Sequence, residues 1–443
     1  MVPLLGSCGQ NETAFSGPHR TGTLPAPDRN SSEASFKSET DQFNPDSRFE
    51  SIRKKRLTEF GYRDTKPFPY PRTKAGIQIA FNDSSIIDFG VLRFISGELV
   101  QPSFPFDYEN DTARLEQLYE DHRLGTVVNR NMGDLQALGA LMVYTNRFLE
   151  GGSVPEPGDD PGPSAELITK RKREQNIGGT SRHYAALFCQ LALSCGYNAR
   201  LVGLHSVDDA GTVHTHTVCE VFSNEFKTWG VFDPYLNATY YLRGKIPQSA
   251  LELRDIMLDQ NYRSIKAYSL AGDIASPADR KQNILPCYRY VYIWRMNDIL
   301  SKSPRNGSIS WQELYSTHLV WEDARSPIAE GRFDQVPAFN DTSDPRFPLN
   351  GVRFAAHTLS DFYWPLDYVI LDAMPHPGNK VTFSYNVMMP NFKEFSISDN
   401  DESRVTKRSY ELLLPENTMG TLYVSGINAF GKKGGQSYLD YIW

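Results

Sequence analysis

Three side chains of the types that perform acyl transfer fall within residues 178–236: Ser181, His216 and Asp233. Ser181 opens a segment with helical spacing, and His216 and Asp233 lie on two successive strand-like segments. A side chain at a helix N-terminus sits in a positive partial field that stabilises a developing anion. A histidine on a neighbouring strand takes its proton, and an aspartate on the next strand fixes the imidazole tautomer and stabilises its charge. The chain order is therefore nucleophile, base, orienter. Each residue also has a plainer role open to it. Ser181 suits a helix N-cap, His216 a satisfied strand histidine, and Asp233, just before Pro234, the start of a turn. Trp229 suits the core. His205, His214 and His216 invite a metal, with His214 and His216 on one strand face, but no carboxylate or cysteine partner accompanies them. No metal is assigned. There is no glycine-rich phosphate loop, Walker pattern or EF-hand, so no cofactor is expected.

The same stretch closely resembles the transglutaminase-like superfamily, a papain-like fold that includes peptide N-glycanases and many bacterial peptidase-like domains. The matching residues are Gly196, Ala199, Arg200 and Val202; then His216, Glu220 and Val221; then Trp229, Asp233 and Pro234. The run from Leu115 to Leu149 resembles the helical lead-in of bacterial members, and residues 244–253 resemble their continuation. The resemblance covers about 110–255 of the chain. It implies a helix packed on an antiparallel sheet, with cysteine-dependent acyl transfer or amide hydrolysis.

The departure lies at the nucleophile. Where the family carries its essential cysteine, four residues before an alanine, this chain has Ser181. Cys189 is eight residues later, more than two turns along the same helix. Cys219 lies an odd number of residues from His216, so strand alternation points it away from that side chain. A thiol of pKa ~8.5 ionises at a helix N-terminus beside a histidine. A hydroxyl does not, and must lose its proton in concert with attack, which needs a base placed for that task. The expectation is a degenerate site in a non-catalytic binding or scaffold protein. The alternatives are a serine-type amidase, peptidase or acyl transferase using Ser181, His216 and Asp233, and a purely structural envelope component.

The elements that must position these residues are legible in part. The segment 112–122 reads as a helix, followed by another that Asp134 caps. Leu135, Leu138, Met142 and Leu149 give the second an apolar stripe. Residues 151–164 read as a surface loop, and Lys170 to Arg173 as a solvated basic face. Tyr184, Phe188, Leu191 and Cys195 share one helix face, which Gly196 ends. Strands follow at 199–204, 217–222 and 227–232. Further short candidate strands at 381–385, 409–414, 421–427 and 438–443 suggest a β-sandwich of immunoglobulin-like type. The expected class is α+β: a papain/transglutaminase-like domain over 47–305 with its core at 110–255, a linking region at 306–370 packed on that core, and a sandwich over 371–443. Residues 47–62 read as a charged helix, and 65–106 as strands and turns.

Residues 1–46 are rich in Ser, Asn, Gly, Pro, Asp and Glu, and cannot bury enough surface to offset their ordering entropy, so they read as a flexible tether. Leu5-Gly6-Ser7-Cys8 resembles a bacterial lipobox, which makes Cys8 a candidate lipidation site and the N-terminus a membrane tether. The basic segment and apolar stretch of a signal peptide do not precede it, so either the start lies upstream or the pattern is fortuitous. The expected location is the cell envelope or surface, and the expected partner a peptide, glycan or cell-wall component. The chain has 443 residues with 12% aromatics, which argues against wholesale disorder. Its net charge of −7 argues against a nucleic-acid partner, which calls for a concentrated basic face. Five widely spaced cysteines without a CxxC pair exclude a zinc ribbon or a thioredoxin-type site.

Overall fold

The computed structural model describes residues 72–73, 76–78, 90–95, 102–129, 131–156, 158–207, 213–241, 246–259, 265–269, 285–315, 317–325, 354–364, 366–376, 380–399, 402–406, 408–413 and 419–442. All belong to one compact unit, Lys66–Trp443. The expected tether at 1–46, Cys8 and the charged helix at 47–62 lie outside the described residues.

Chain order begins with strands β1 (Arg72–Thr73), β2 (Gly76–Gln78) and β3 (Gly90–Ile95). Helices α1 (Thr112–Asp121), α2 (Asp134–Leu149), α3 (Ala165–Gln175) and α4 (Ser181–Ser194) follow. Next come β4 (Asn198–Val207), β5 (Val213–Ser223), β6 (Thr228–Asp233), β7 (Ala238–Tyr241), α5 (Ala250–Leu258) and β8 (Lys266–Tyr268). Then come β9 (Tyr290–Trp294), the short helices α6 (Ile299–Lys302) and α7 (Trp311–Tyr315), β10 (His318–Trp321), β11 (Phe354–Ala356) and α8 (Leu359–Phe362). The last strands are β12 (Val369–His376), β13 (Lys380–Val387), β14 (Phe392–Ser398), β15 (Glu402–Val405), β16 (Ser409–Leu413), β17 (Met419–Asn428) and β18 (Ser437–Ile442).

The fold mixes α and β structure around an eight-stranded sheet of order β11-β10-β9-β4-β5-β6-β7-β8. Its pairs are antiparallel except the parallel β10–β11 edge. Alternation along the strands sends side chains to two cores. Leu201, Cys219, Val221 and Phe232 face α1 to α4. Val202, Leu204, Val218 and Val231 face α5, Tyr288 and Phe362 on the other side. Helix α4 is apolar nearly all round, as a helix enclosed by its neighbours must be. It ends as its sequence predicts, with Gly196 at a φ of +83° just past the cap. The Trp residues at 294, 311, 321 and 364 all pack into the two cores.

Helix α1 matches its expected span, capped by Asp111, which accepts the Arg114 N–H at 3.1 Å. The cap of α2 is a correction: Gly133 occupies it and Asp134 is the first helical residue. The Asp134 carboxylate is drawn instead to stronger donors across the fold: Lys432 Nζ at 2.5 Å, Ser223 Oγ at 2.8 Å and the Glu225 N–H at 3.1 Å.

C-terminally, a seven-stranded antiparallel sheet (β1-β2-β3-β18-β17-β14-β15) faces a three-stranded one (β12-β13-β16). Phe383 and Tyr385 of β13 pack there with Phe395 of β14, Val424 of β17 and Leu439 of β18. β3 pairs with β18 across more than three hundred residues of chain, so these layers draw on residues 90–95 as well as on 369–442.

Candidate functional site

The turn that carries Ser181 is fixed by its neighbours. Gly179 has a φ of +96°, and a Cβ there would lie 2.6 Å from the His183 ring, so only glycine fits. Thr180, not Ser181, is the N-cap of α4. This corrects the expected capping role of Ser181: it is the first helical residue, and its hydroxyl bonds outside the helix. The Thr180 N–H donates to His183 Nδ1 at 3.0 Å. That leaves the His183 proton on Nε2, which donates to Asp160 Oδ1 at 3.1 Å. Asp160 also accepts from Arg182 Nη2 at 2.5 Å, the Gly162 N–H at 2.7 Å and Trp311 Nε1 at 3.0 Å. Burial alone would raise the Asp160 carboxyl, but the His183 bond, the Gly162 N–H and the Arg182 charge hold it well below the usual carboxylate range. The loop at 151–164 is therefore the anchor of the α4 N-terminus. Its signal in the sequence was the capping-box spacing from Thr180 to His183, with histidine in place of the usual Glu or Gln. Asp160→Ala should cost about 2–3 kcal/mol by orphaning these donors, read from urea unfolding midpoints.

Of the three predicted residues, His216 and Asp233 pair side chain to side chain, and Ser181 meets the β5 backbone next to His216. The Thr217 N–H, one residue beyond His216, donates to Ser181 Oγ at 3.3 Å. His216 Nε2 donates to Asp233 Oδ2 at 2.8 Å. Asp233 is fully buried, and its other oxygen accepts the Leu236 N–H at 3.0 Å, so it both orients the imidazole and starts the turn after β6. With Nε2 committed to Asp233, Nδ1 is the basic nitrogen of His216. Among the described residues no hydrogen bond joins Ser181 Oγ to His216.

Tyr235 packs beside the site. Its ring meets His216 (centroids 6.0 Å) and Tyr184 of α4 (5.1 Å), both edge to face. Asn146 of α2 holds the turn beneath it, donating to the Pro234 and Tyr235 carbonyls at 2.8 and 3.1 Å. Ser181 is 9% exposed and His216 6%, while Tyr235 itself is 37% exposed. No sequence signal singled out Tyr235 or Asn146.

The other motif residues form a separate, structural group. Arg200 and Glu220 are fully buried and paired, with Arg200 Nη2 and Nε at 2.7 and 3.0 Å from Glu220 Oε2. Glu220 Oε1 accepts the Ala250 N–H of α5 at 2.7 Å and the Tyr363 hydroxyl at 2.6 Å. The Arg200 guanidinium lies 4.2 Å from the Trp229 ring centroid and donates to the Phe362 carbonyl at 2.6 Å.

No cysteine is placed to replace Ser181 among the described residues. Cys189 is buried in α4, and Cys219 faces the same core, opposite His216 in strand alternation. Burial pushes the Cys195 thiol up to about 12 and that of Cys287 up to about 11, and holds Cys219 well above its ordinary value. Burial thus disfavours the reactive thiolate form of each. His216 turns to Asp233, while His214, the other histidine on its strand face, is exposed. No protein-family model and no curated protein matches this chain.

Proposed function

We propose that this chain is a transglutaminase-like protein whose acyl-transfer site no longer catalyses, and that it serves as an exported binding or scaffold protein. The observation that carries this reading is the state of Ser181. Its Oγ is held by the Thr217 N–H rather than by His216, it is a hydroxyl where the family needs a thiolate, and it is buried. The helix packed on an antiparallel sheet suits the papain-like fold, and the two facing C-terminal sheets suit an immunoglobulin-like module. The partner we infer is a peptide, glycan or cell-wall component, met at the envelope or surface through an N-terminal tether that Cys8 anchors. A fluorophosphonate probe should leave Ser181 unlabelled in the folded protein. Labelling at that position, abolished by Ser181→Ala, would overturn the proposal.

The His216–Asp233 pair favours a second reading, a serine-type amidase, peptidase or acyl transferase. In it, Ser181 Oγ attacks the carbonyl, His216 Nδ1 takes the hydroxyl proton and returns it to the leaving group, and Asp233 steadies the imidazolium. The same probe then labels Ser181.

A further inference from the structure

The C-terminal sheets meet the central domain through a polar junction. The β17–β18 loop reaches the ends of two helices: Lys432 pairs with Asp134 of α2 and lies 3.9 Å from the Tyr197 ring centroid, and Asn428 Nδ2 donates to the Gly196 carbonyl at 2.8 Å. Asn391 Nδ2 donates to the Glu109 carbonyl at 3.0 Å. At the centre is Asp367, 2% exposed. Its backbone belongs to the C-terminal side, with its N–H on the Met388 carbonyl at 2.8 Å and Gly434 packed against it. Its Oδ2 takes both donors from the central domain, Asn198 Nδ2 at 2.6 Å and Asn224 Nδ2 at 3.1 Å. Its Oδ1 is buried with no hydrogen-bond partner in the structure.

A buried carboxylate with one oxygen unpaired by protein groups carries a desolvation cost that its neutral form avoids. Lys432 is the cation that favours the ionised form, but its ammonium is already bonded to Asp134. The other charged or titratable groups around the junction are Tyr108, on which the Asp367 charge acts, Glu225 and Lys227 of the β5–β6 turn, Lys433 of the β17–β18 loop, Tyr197 and Cys195. Lys227 lies over Tyr368, 5.8 Å from its centroid, and Glu225 accepts the Asp134 N–H.

We propose that Asp367 makes this junction an acid-tightened clamp, docking the C-terminal sheets most firmly when its carboxyl is protonated. Burial raises the Asp367 carboxyl to about 6, against the two Asn donors and Lys432, which lower it. The docked state thus holds a proton over a pH range in which an undocked, hydrated Asp367 has lost it. Docking stability from this group is fully present below the ordinary carboxylate value and is lost as pH rises through about 6.

The experiment is hydrogen exchange of the full chain, followed in peptides spanning 428–435 and 366–369 and corrected for intrinsic rates. Protection there should fall about tenfold between pH 5.0 and 7.5, the ratio linkage gives for a carboxyl lifted by about two units. Asp367→Asn, neutral and nearly isosteric, should keep high protection at both pH values. Asn224→Ala removes a donor to the ionised form, so it should move the pH of half-loss upward. A wild-type junction indifferent to pH, an Asp367→Asn chain with the wild-type pH response, or an unmoved midpoint in Asn224→Ala would each overturn the clamp.

Discussion

Ser181→Cys is expected to place a reactive thiol where the wild type has a hydroxyl. Three features of the site favour a thiolate, which a thiol can form near neutral pH and a hydroxyl cannot. The side chain leaves the first residue of α4, where the helix field favours an anion. The Thr217 N–H already points at the Oγ position and would bond a thiolate there. His216, oriented by buried Asp233, supplies the adjacent base. A thiol brought from ~8.5 to ~6.5 by such neighbours is about fifty-fold more ionised at pH 6.5 than an ordinary one. Iodoacetamide at pH 6.5 should therefore alkylate the introduced thiol well ahead of Cys195, Cys219 and Cys287, whose thiols burial pushes upward.

His216→Ala in the same background should return the rate toward that of a free cysteine. Tyr235→Ala should raise it, because Tyr235 packs edge to face on His216 and its removal opens that side chain to the reagent. Mass mapping at position 181 reads both. A thiol there that reacts no faster than glutathione, in folded protein, means that His216 and the α4 N-terminus do not act on position 181. That result would leave the central domain as a spacer.

The resemblance read in the sequence mixed two kinds of residue that only packing separates. Arg200, Glu220 and Trp229 form a buried ion pair under an aromatic plate, while His216 and Asp233 form the dyad. On β5 and β6 the two sets share strands at the same period, His216 with Glu220 and Trp229 with Asp233, so spacing alone cannot tell a scaffold from a site. Strand positions were legible because alternation and turn residues are local: the strands expected at 199–204 and 217–222 lie inside β4 and β5, and the one expected at 227–232 is offset by one residue from β6. What stayed hidden is long-range. The pairing of β3 with β18, the Asp160 anchor of α4 and the turn of Asp134 toward Lys432 join residues that no periodicity relates. The Ser181 and Asp134 caps failed for a related reason. Each side chain has a partner elsewhere in the fold, so the cap fell to the residue before it.

The buried ion pair sets the second large expectation. Glu220→Gln should lower unfolding free energy by about 3–5 kcal/mol, the cost of leaving one member of a buried pair uncompensated. The amide isolates the charge. Its oxygen can still accept from the Ala250 N–H and the Tyr363 hydroxyl, so the α5 N-terminus keeps a partner while the Arg200 guanidinium loses its counter-ion. Four aromatic rings, Trp229, Phe362, Tyr363 and Trp364, lie within 5.4 Å of the guanidinium, and they offset only part of a full charge without water. Arg200→Met alone should destabilise as well, because it strands the Glu220 carboxylate. Combined with Glu220→Gln it removes both charges, and the double variant should be more stable than the sum of the single losses predicts by about 2 kcal/mol. Urea unfolding of the four proteins closes this cycle. Additive losses, or a Glu220→Gln chain within about 1 kcal/mol of wild type, would mean the pair is hydrated and that aromatic packing, not charge pairing, joins β4, β5 and α5 at this point.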